Sequence, residues 1–212
     1  MADLKNLSVE EFAAVTGSDA PAPGGGSVAA LAGGLGAALA EMVANPTIGK
    51  AKYADVEEEM KGLAAEGAAL RKELIDSIQK DTESFTAYMN ALGMPKNTDE
   101  EKAARKEAMQ NGLKEAAEVP LAVAETALKI FHVAGAVVER GNANAVTDGL
   151  VASMMARTAV LSALLNVKIN LGSIKDEEFV ARMAAKVAEL EKAAMDGEKA
   201  VMELSALTRD LV

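Results

Sequence analysis

The chain has no cysteine and no tryptophan, a single histidine, and an aromatic content of only 3%. Without cysteine it has no disulfides, no thiolate nucleophile and no Cys-ligated zinc or iron–sulfur centre. His132 stands alone, so no histidine cluster is available to hold a transition metal, and no metal site is expected. Whatever chemistry occurs must come from carboxylates, Lys, Arg, hydroxyls, amides or the backbone. Positive charge is also scarce: 22 basic against 32 acidic side chains leave a formal net charge of −10. That balance opposes general binding to nucleic acid or to an anionic membrane, and an anionic ligand would need a local basic patch.

Half of the 212 residues are hydrophobic, and with so few aromatics the core must be built from Ala, Leu, Val, Ile and the 11 Met. Such interiors favour helix over sheet. The length allows one sizeable core, and a single domain over residues 1–212 is expected. From Ala20 to Ala40 there is no charged residue. A secretory signal would need basic residues before it, yet Asp3, Glu10, Glu11 and Asp19 precede it. Its continuous apolar part, Val28–Ala40, is short and rich in Gly and Ala for a membrane span. A cytoplasmic protein is expected.

Ser8-Val9-Glu10-Glu11 has capping-box spacing, and a short helix fits between Ser8 and Gly17. Pro21-Ala22-Pro23-Gly24-Gly25-Gly26 then breaks the chain, with Ser27 placed to cap a helix that Asn45-Pro46 halts near Ala44. Within it, Ala29, Gly33 and Ala37 form one row of small residues and Ala32, Gly36 and Ala40 the next. Rows of that kind permit very close helix–helix approach.

Leu63, Leu70, Leu74, Ile78 and Phe85 recur at helical steps between Tyr53 and Leu92, the mark of a long helix ended by Gly93 and Pro95. Thr98-Asp99-Glu100-Glu101 is a second capping box, opening a helix that should bend near Pro120 and continue to about Arg140. Gly141–Thr147 reads as a polar turn, Asp148–Val167 as a helix, and Phe179, Val180, Met183, Val187 and Leu190 as the apolar face of a last one. The architecture is therefore all-α, an array of long antiparallel helices, and helices of that length favour a homodimer.

Four features carry possible chemistry. The triple glycine leaves N–H groups uncovered at a helix start, which suits an anion or a carbonyl oxygen, or else merely lets two chains pass closely. It lacks the Lys and Ser/Thr of a Walker loop. Asp81 continues the stripe of Leu74, Ile78, Phe85 and Tyr88, so its carboxylate points inward; either it is functional, with a pKa raised by desolvation, or it sits at an edge in an ion pair. Asn142, Asn144, Thr147 and Asp148 cluster in a turn where they cap N–H groups or form a polar floor for a ligand. Asn166 and Asn170 share a helix face, as heterocycle-binding amides or, for Asn170, as a helix cap. Lys50, Lys52 and Lys96 are the candidate cations for an anionic tail, though each also fits a solvated surface. His132 reads as packed.

Taken together and in order, Pro21-Ala22-Pro23-Gly24-Gly25-Gly26-Ser27-Val28-Ala29-Ala30, Asp81-Thr82-Glu83-Ser84-Phe85, Pro95-Lys96-Asn97-Thr98, Val119-Pro120-Leu121, Gly141-Asn142 with Thr147-Asp148, and Asn166-Val167-Lys168-Ile169-Asn170 resemble the cyclodeaminase/cyclohydrolase family over nearly the whole chain. This is the folate domain of formiminotransferase-cyclodeaminase together with its stand-alone bacterial relatives. The resemblance implies an all-α homodimer acting on a one-carbon tetrahydrofolate, with no cofactor beyond that substrate. One direction is the cyclohydrolase reaction, in which water adds to 5,10-methenyltetrahydrofolate to give 10-formyltetrahydrofolate. The other is the cyclodeaminase reaction, in which 5-formiminotetrahydrofolate closes with loss of ammonia. The absence of a formiminotransferase segment favours the first. A non-catalytic helical dimer that binds folate or serves as a scaffold is the alternative of a different class.

The resemblance makes Asp81 the proton acceptor and Asp148 a second catalytic carboxylate at the pterin site. It implies Gly24, Gly25, Gly26, Ser27, Asn142 and Asn144 as substrate-binding residues, and Lys96 near the glutamate tail. Two departures stand out. Asn45-Pro46-Thr47 occurs where the family has Asn-Leu-Thr, so Asn45 is left out of the site, and Thr147 stands where Ser is common.

Overall fold

A computed structural model describes residues 3–211. Seven α-helices follow one another in the chain: α1 (Val9–Thr16), α2 (Gly25–Ala44), α3 (Glu57–Leu92), α4 (Asp99–Leu128), α5 (Ile130–Arg140), α6 (Val146–Leu171) and α7 (Glu177–Glu203). Short 3-10 turns such as Ala51–Tyr53 and Ala143–Ala145 punctuate them, and no strand occurs among the described residues. Both capping boxes form as their spacing requires. Ser8 and Glu11 close the start of α1, and Thr98 and Glu101 that of α4, each side chain satisfying the other residue's backbone N–H.

α2 is the central element, clasped between α3 and α6 and antiparallel to both: Gly26 lies against Asp81 and Gly33 against Leu74 of α3, while Gly25 meets Asn166 and Gly36 meets Ala152 and Met155 of α6. The small-residue rows are the cause. A Cβ on Gly36 would come within 3.1 Å of the Ala152 carbonyl oxygen, so backbones approach to a distance that larger side chains forbid. Met60, Leu74, Ile78, Ile130 and Leu164 are fully buried around this layer. Each such side chain stabilises the fold by about 1.5–3 kcal/mol relative to its exposed state.

The structure corrects four expectations. α2 starts at Gly25 with Gly24 as its N-cap, so Ser27 lies inside the first turn and is wholly buried rather than capping. α2 is also twenty residues long, and by length and composition alone it, the α4–α5 stretch and α6 each suffice to cross a membrane. The helix expected to continue through Pro120 to about Arg140 is interrupted at Lys129, with Pro120 inside α4. Proline has no N–H for the carbonyl four residues earlier. Here the Asn170 side chain donates to Ala116 O at 2.8 Å from α6 and takes over that role. Finally, His132 is not packed: its side chain is exposed, 3.8 Å from Glu66.

Candidate functional site

At the N-terminal end of α2 a cleft of about 320 Å³ opens between α2, α3, α4 and α6. The glycine loop forms one wall, and Asp81, Phe85 and Tyr88 of α3 form the next at successive helical steps. Ala116 of α4 and Asn166, Ile169 and Asn170 of α6 close it. Among the described residues Asp81 is the one charged side chain in this lining, a single carboxylate among mostly apolar walls.

The local sequence explains why Asp81 stands there. Gly24 offers no side chain to cap α2, and the first-turn N–H groups of a helix need acceptors. Asp81 supplies one from the neighbouring helix. Its Oδ2 accepts the Ser27 hydroxyl at 2.8 Å, and the Ser27 backbone N–H is also directed at the carboxylate. Ser27 Oγ lies 3.3 Å from the Ile78 carbonyl as well, so the hydroxyl is fixed between two acceptors on α3. Gly26 is required for the same approach, because a Cβ there would come within 2.6 Å of Asp81 Cγ.

Burial pushes the Asp81 carboxyl above its ordinary range, and the hydrogen bonds from the Ser27 hydroxyl and backbone N–H hold it back only in part. A carboxylate desolvated in this way has the proton affinity of a general base and attracts a cationic carbon more strongly than it would in water.

The chain brings together only part of the residues expected at the site. Gly24, Gly25, Gly26 and Asp81 line the cleft, with Ser27 directly behind the carboxylate. Asn142, Asn144 and Asp148 do not. They sit at the opposite end of α2, where the Asn142 N–H donates to Thr47 Oγ1 at 2.9 Å and the Asn142 side chain caps Asn144. Twenty residues of helix separate the two ends, about 30 Å at 1.5 Å per residue. Thr47, beside the unexpected Pro46, is fully buried and also donates to the Val43 carbonyl at 2.9 Å, so the proline is accommodated. Lys96 is exposed in the α3–α4 connection, outside the cleft lining, and no lysine or arginine lines the cleft among the described residues.

The lining also includes Asn166 and Asn170, the pair whose shared helix face suggested ligand-binding amides, and residues the sequence did not single out as ligand contacts. Asn166 lies against Gly25, where a Cβ would come within 3.1 Å of Nδ2, and donates to the Ser162 carbonyl. Asn170 is engaged by Ala116 O and Asn166 O rather than capping its helix end. Tyr88 carries a legible signal, seven residues beyond Asp81 on the same face; Ala116 carries none.

Comparison with known proteins came out consistently. A family model described as formiminotransferase-cyclodeaminase matches residues 8–189. The methenyltetrahydrofolate cyclohydrolase of Methylorubrum extorquens is 44% identical over 174 residues, covering 82% of this chain and 84% of that protein. The formimidoyltransferase-cyclodeaminase of Rattus norvegicus is 35% identical over 187 residues, and the match covers 88% of this chain but 35% of that longer protein. Among solved structures, a formiminotetrahydrofolate cyclodeaminase from Thermotoga maritima superposes with a TM-score of 0.85 at 33% identity, over 98% of each chain.

Proposed function

The chain belongs to the formiminotransferase-cyclodeaminase family, and from that premise we propose that it is a 5,10-methenyltetrahydrofolate cyclohydrolase with Asp81 as the proton acceptor. The observation that carries this reading is the solitary Asp81 carboxylate, raised by burial in a cleft with no cation among its lining residues. The methenyl group is a cationic amidinium, and a low-dielectric site holding one negative charge favours it over folates whose one-carbon centre is uncharged.

Water held by Asp81 attacks the bridging carbon as the carboxylate takes one proton, forming the carbon–oxygen bond. The carbon–N5 bond then breaks as the hydroxyl oxygen becomes the formyl carbonyl and loses its proton, and N5 gains a proton from the Asp81 carboxyl. One proton is released overall. The flat pterin would lie along Phe85, Tyr88 and Ile169, with the glycine loop letting it approach the backbone closely. In this reading the enzyme works as a cytoplasmic homodimer with no cofactor beyond the folate; Asp148, Asn142 and Asn144, at the far end of α2 from Asp81 in one chain, serve the pterin site of the second copy, and Lys96 serves the glutamate tail.

A second reading, 5-formiminotetrahydrofolate cyclodeaminase, is favoured by the named activity of the Thermotoga maritima structure. It uses the same carboxylate, since N10 must lose a proton as it attacks the formimino carbon. Supplying each folate separately distinguishes the two: loss of the methenyl absorbance marks the hydrolase and ammonia release the deaminase. Silence in both assays rules out the enzyme reading and leaves a folate-binding or scaffold dimer.

A further inference from the structure

Asn166 and Asn170 line the cleft on its α6 wall, and the proton transfers at Asp81 leave both without a task. Backbone oxygens fix how each amide is turned. Asn166 Nδ2 donates to the Ser162 carbonyl at 2.9 Å, while Asn170 Nδ2 donates to the Asn166 carbonyl at 2.9 Å and to the Ala116 carbonyl at 2.8 Å. A carbonyl takes only a donor, so these ends must be nitrogen and the opposite end of each amide is Oδ1. Among the described residues no N–H or O–H donates to either Oδ1, and neither oxygen is shut away from solvent. The α6 wall therefore holds two open acceptors whose orientation is already set.

A donor stands beside them. The Gly25 N–H opens α2, with no partner inside the helix, and Gly24 has no side chain to cap it. Asn166 reaches the same spot, since a Cβ on Gly25 would lie 3.1 Å from its Nδ2 and 3.3 Å from its Oδ1. The cleft thus presents a donor at Gly25, an acceptor at Asn166 and a second acceptor at Asn170, one helical turn further along α6. The 2-amino-4-oxo edge of a pterin carries the complement in the same order: the O4 carbonyl accepts, N3–H donates and the 2-amino group donates.

We propose that Asn166 and Asn170 read this edge, with the Gly25 N–H on O4, Asn166 Oδ1 on N3–H and Asn170 Oδ1 on the 2-amino group, and so set which way round the pterin enters the cleft. The assignment rests on the folate reading given above. The 2-amino group and the one-carbon bridge lie at opposite ends of the ring system, so an edge held on α6 presents the bridge to Asp81 on α3, across the glycine loop. Amides suit this task better than acids. A carboxylate at either position would repel the backbone carbonyls that Nδ2 now satisfies, and would compete with Asp81 for the methenyl cation. Neutral acceptors hold the ring without diverting its charge.

These contacts are made in the ground state and the transition state alike, so their loss raises KM and spares kcat. A substrate altered at one group tests them on the full chain: 5,10-methenyltetrahydrofolate with a methyl group in place of the 2-amino group. On wild type its KM should exceed that of the natural substrate by about tenfold or more, the scale of a stranded acceptor, with kcat held. Asn170→Ala is made in the Pro120→Ala background, where the Ala116 carbonyl regains a helical donor. It should raise KM for the natural substrate by a similar factor over its Pro120→Ala parent and add nothing for the methyl analogue. Asn166→Ala, whose partner N3–H is present in both substrates, should raise KM for both alike. An analogue handled as well as the natural substrate, losses that multiply in Asn170→Ala, or an Asn166→Ala variant with unchanged KM overturns the assignment.

The same comparison read as Kd, by calorimetry with 5-formyltetrahydrofolate and its 2-methyl counterpart, separates recognition from chemistry. Coupling between Asn170 and the 2-amino group in a chain that turns over neither one-carbon folate sinks the proposed function and leaves the recognition standing. Turnover without that coupling does the reverse.

Discussion

Gly26 and Asp81 share one small volume: the helix α2 can start beside the carboxylate only because residue 26 has no Cβ, which would otherwise lie within 2.6 Å of Asp81 Cγ. The glycine and the acid, 55 positions apart, are thus one device.

Gly26→Ala should leave the helices in place, since alanine is a better helix former than glycine by about 1 kcal/mol. The displaced atoms belong to the end of a short side chain, so the carboxylate swings away from Ser27. Methenyl turnover should fall about a hundredfold or more, with the circular dichroism spectrum unchanged. Full activity in this variant would show that the carboxylate position is unimportant.

Asp81→Asn should lose at least a hundredfold in turnover, the scale of a missing general base. Stability should move the other way. Because burial raises the native carboxyl above its ordinary value of 3.8, the folded state holds its proton more tightly than the unfolded chain. The stabilisation from this group is present at pH below that value and is lost as pH rises through the native one. The Asn variant escapes that loss. Its Tm should exceed wild type at pH 7, with the advantage disappearing in acid, as thermal melts across pH will establish.

Ser27→Ala removes the hydroxyl bond that lowers the Asp81 carboxyl. The acid limb of the kcat/KM profile, which reports the base in the free enzyme, should move to higher pH. A purely structural serine would reduce the rate without moving the limb.

Asn170→Ala strands the Ala116 carbonyl, which Pro120 has already deprived of its helical donor. The expected cost is about 1–3 kcal/mol in chemical denaturation. In a Pro120→Ala background the restored N–H should make the same change markedly cheaper. Equal costs in both backgrounds would break the link between proline and asparagine.

Elements with local causes were readable from residues 8–17 and 98–101 onward, because a capping box is settled by neighbours three positions apart. The small-residue rows of α2 likewise announced close packing, and the uncharged glycine loop announced a break. Asp81 was legible as an acid on an apolar stripe, although its neighbours Phe85 and Tyr88 line a cleft, with only Tyr88 also packed against the core. The roles of Ser27, Ala116 and His132 depend on distant elements that no local pattern shows: Asp81 of α3 accepts from Ser27, Asn170 of α6 donates to the carbonyl that Pro120 leaves unpaired, and solvent rather than a helix meets His132.

The sequence alone therefore determined the helical class, the two capping boxes, the family motifs and their order. The tertiary structure decided which motifs meet. In an antiparallel array, a motif's position in space depends on which end of a 30 Å helix it adjoins, and chain order is silent on that. The glycine loop reaches Asp81, Asn166 and Asn170, while Asn142 and Asp148 lie at the far end of the same helix.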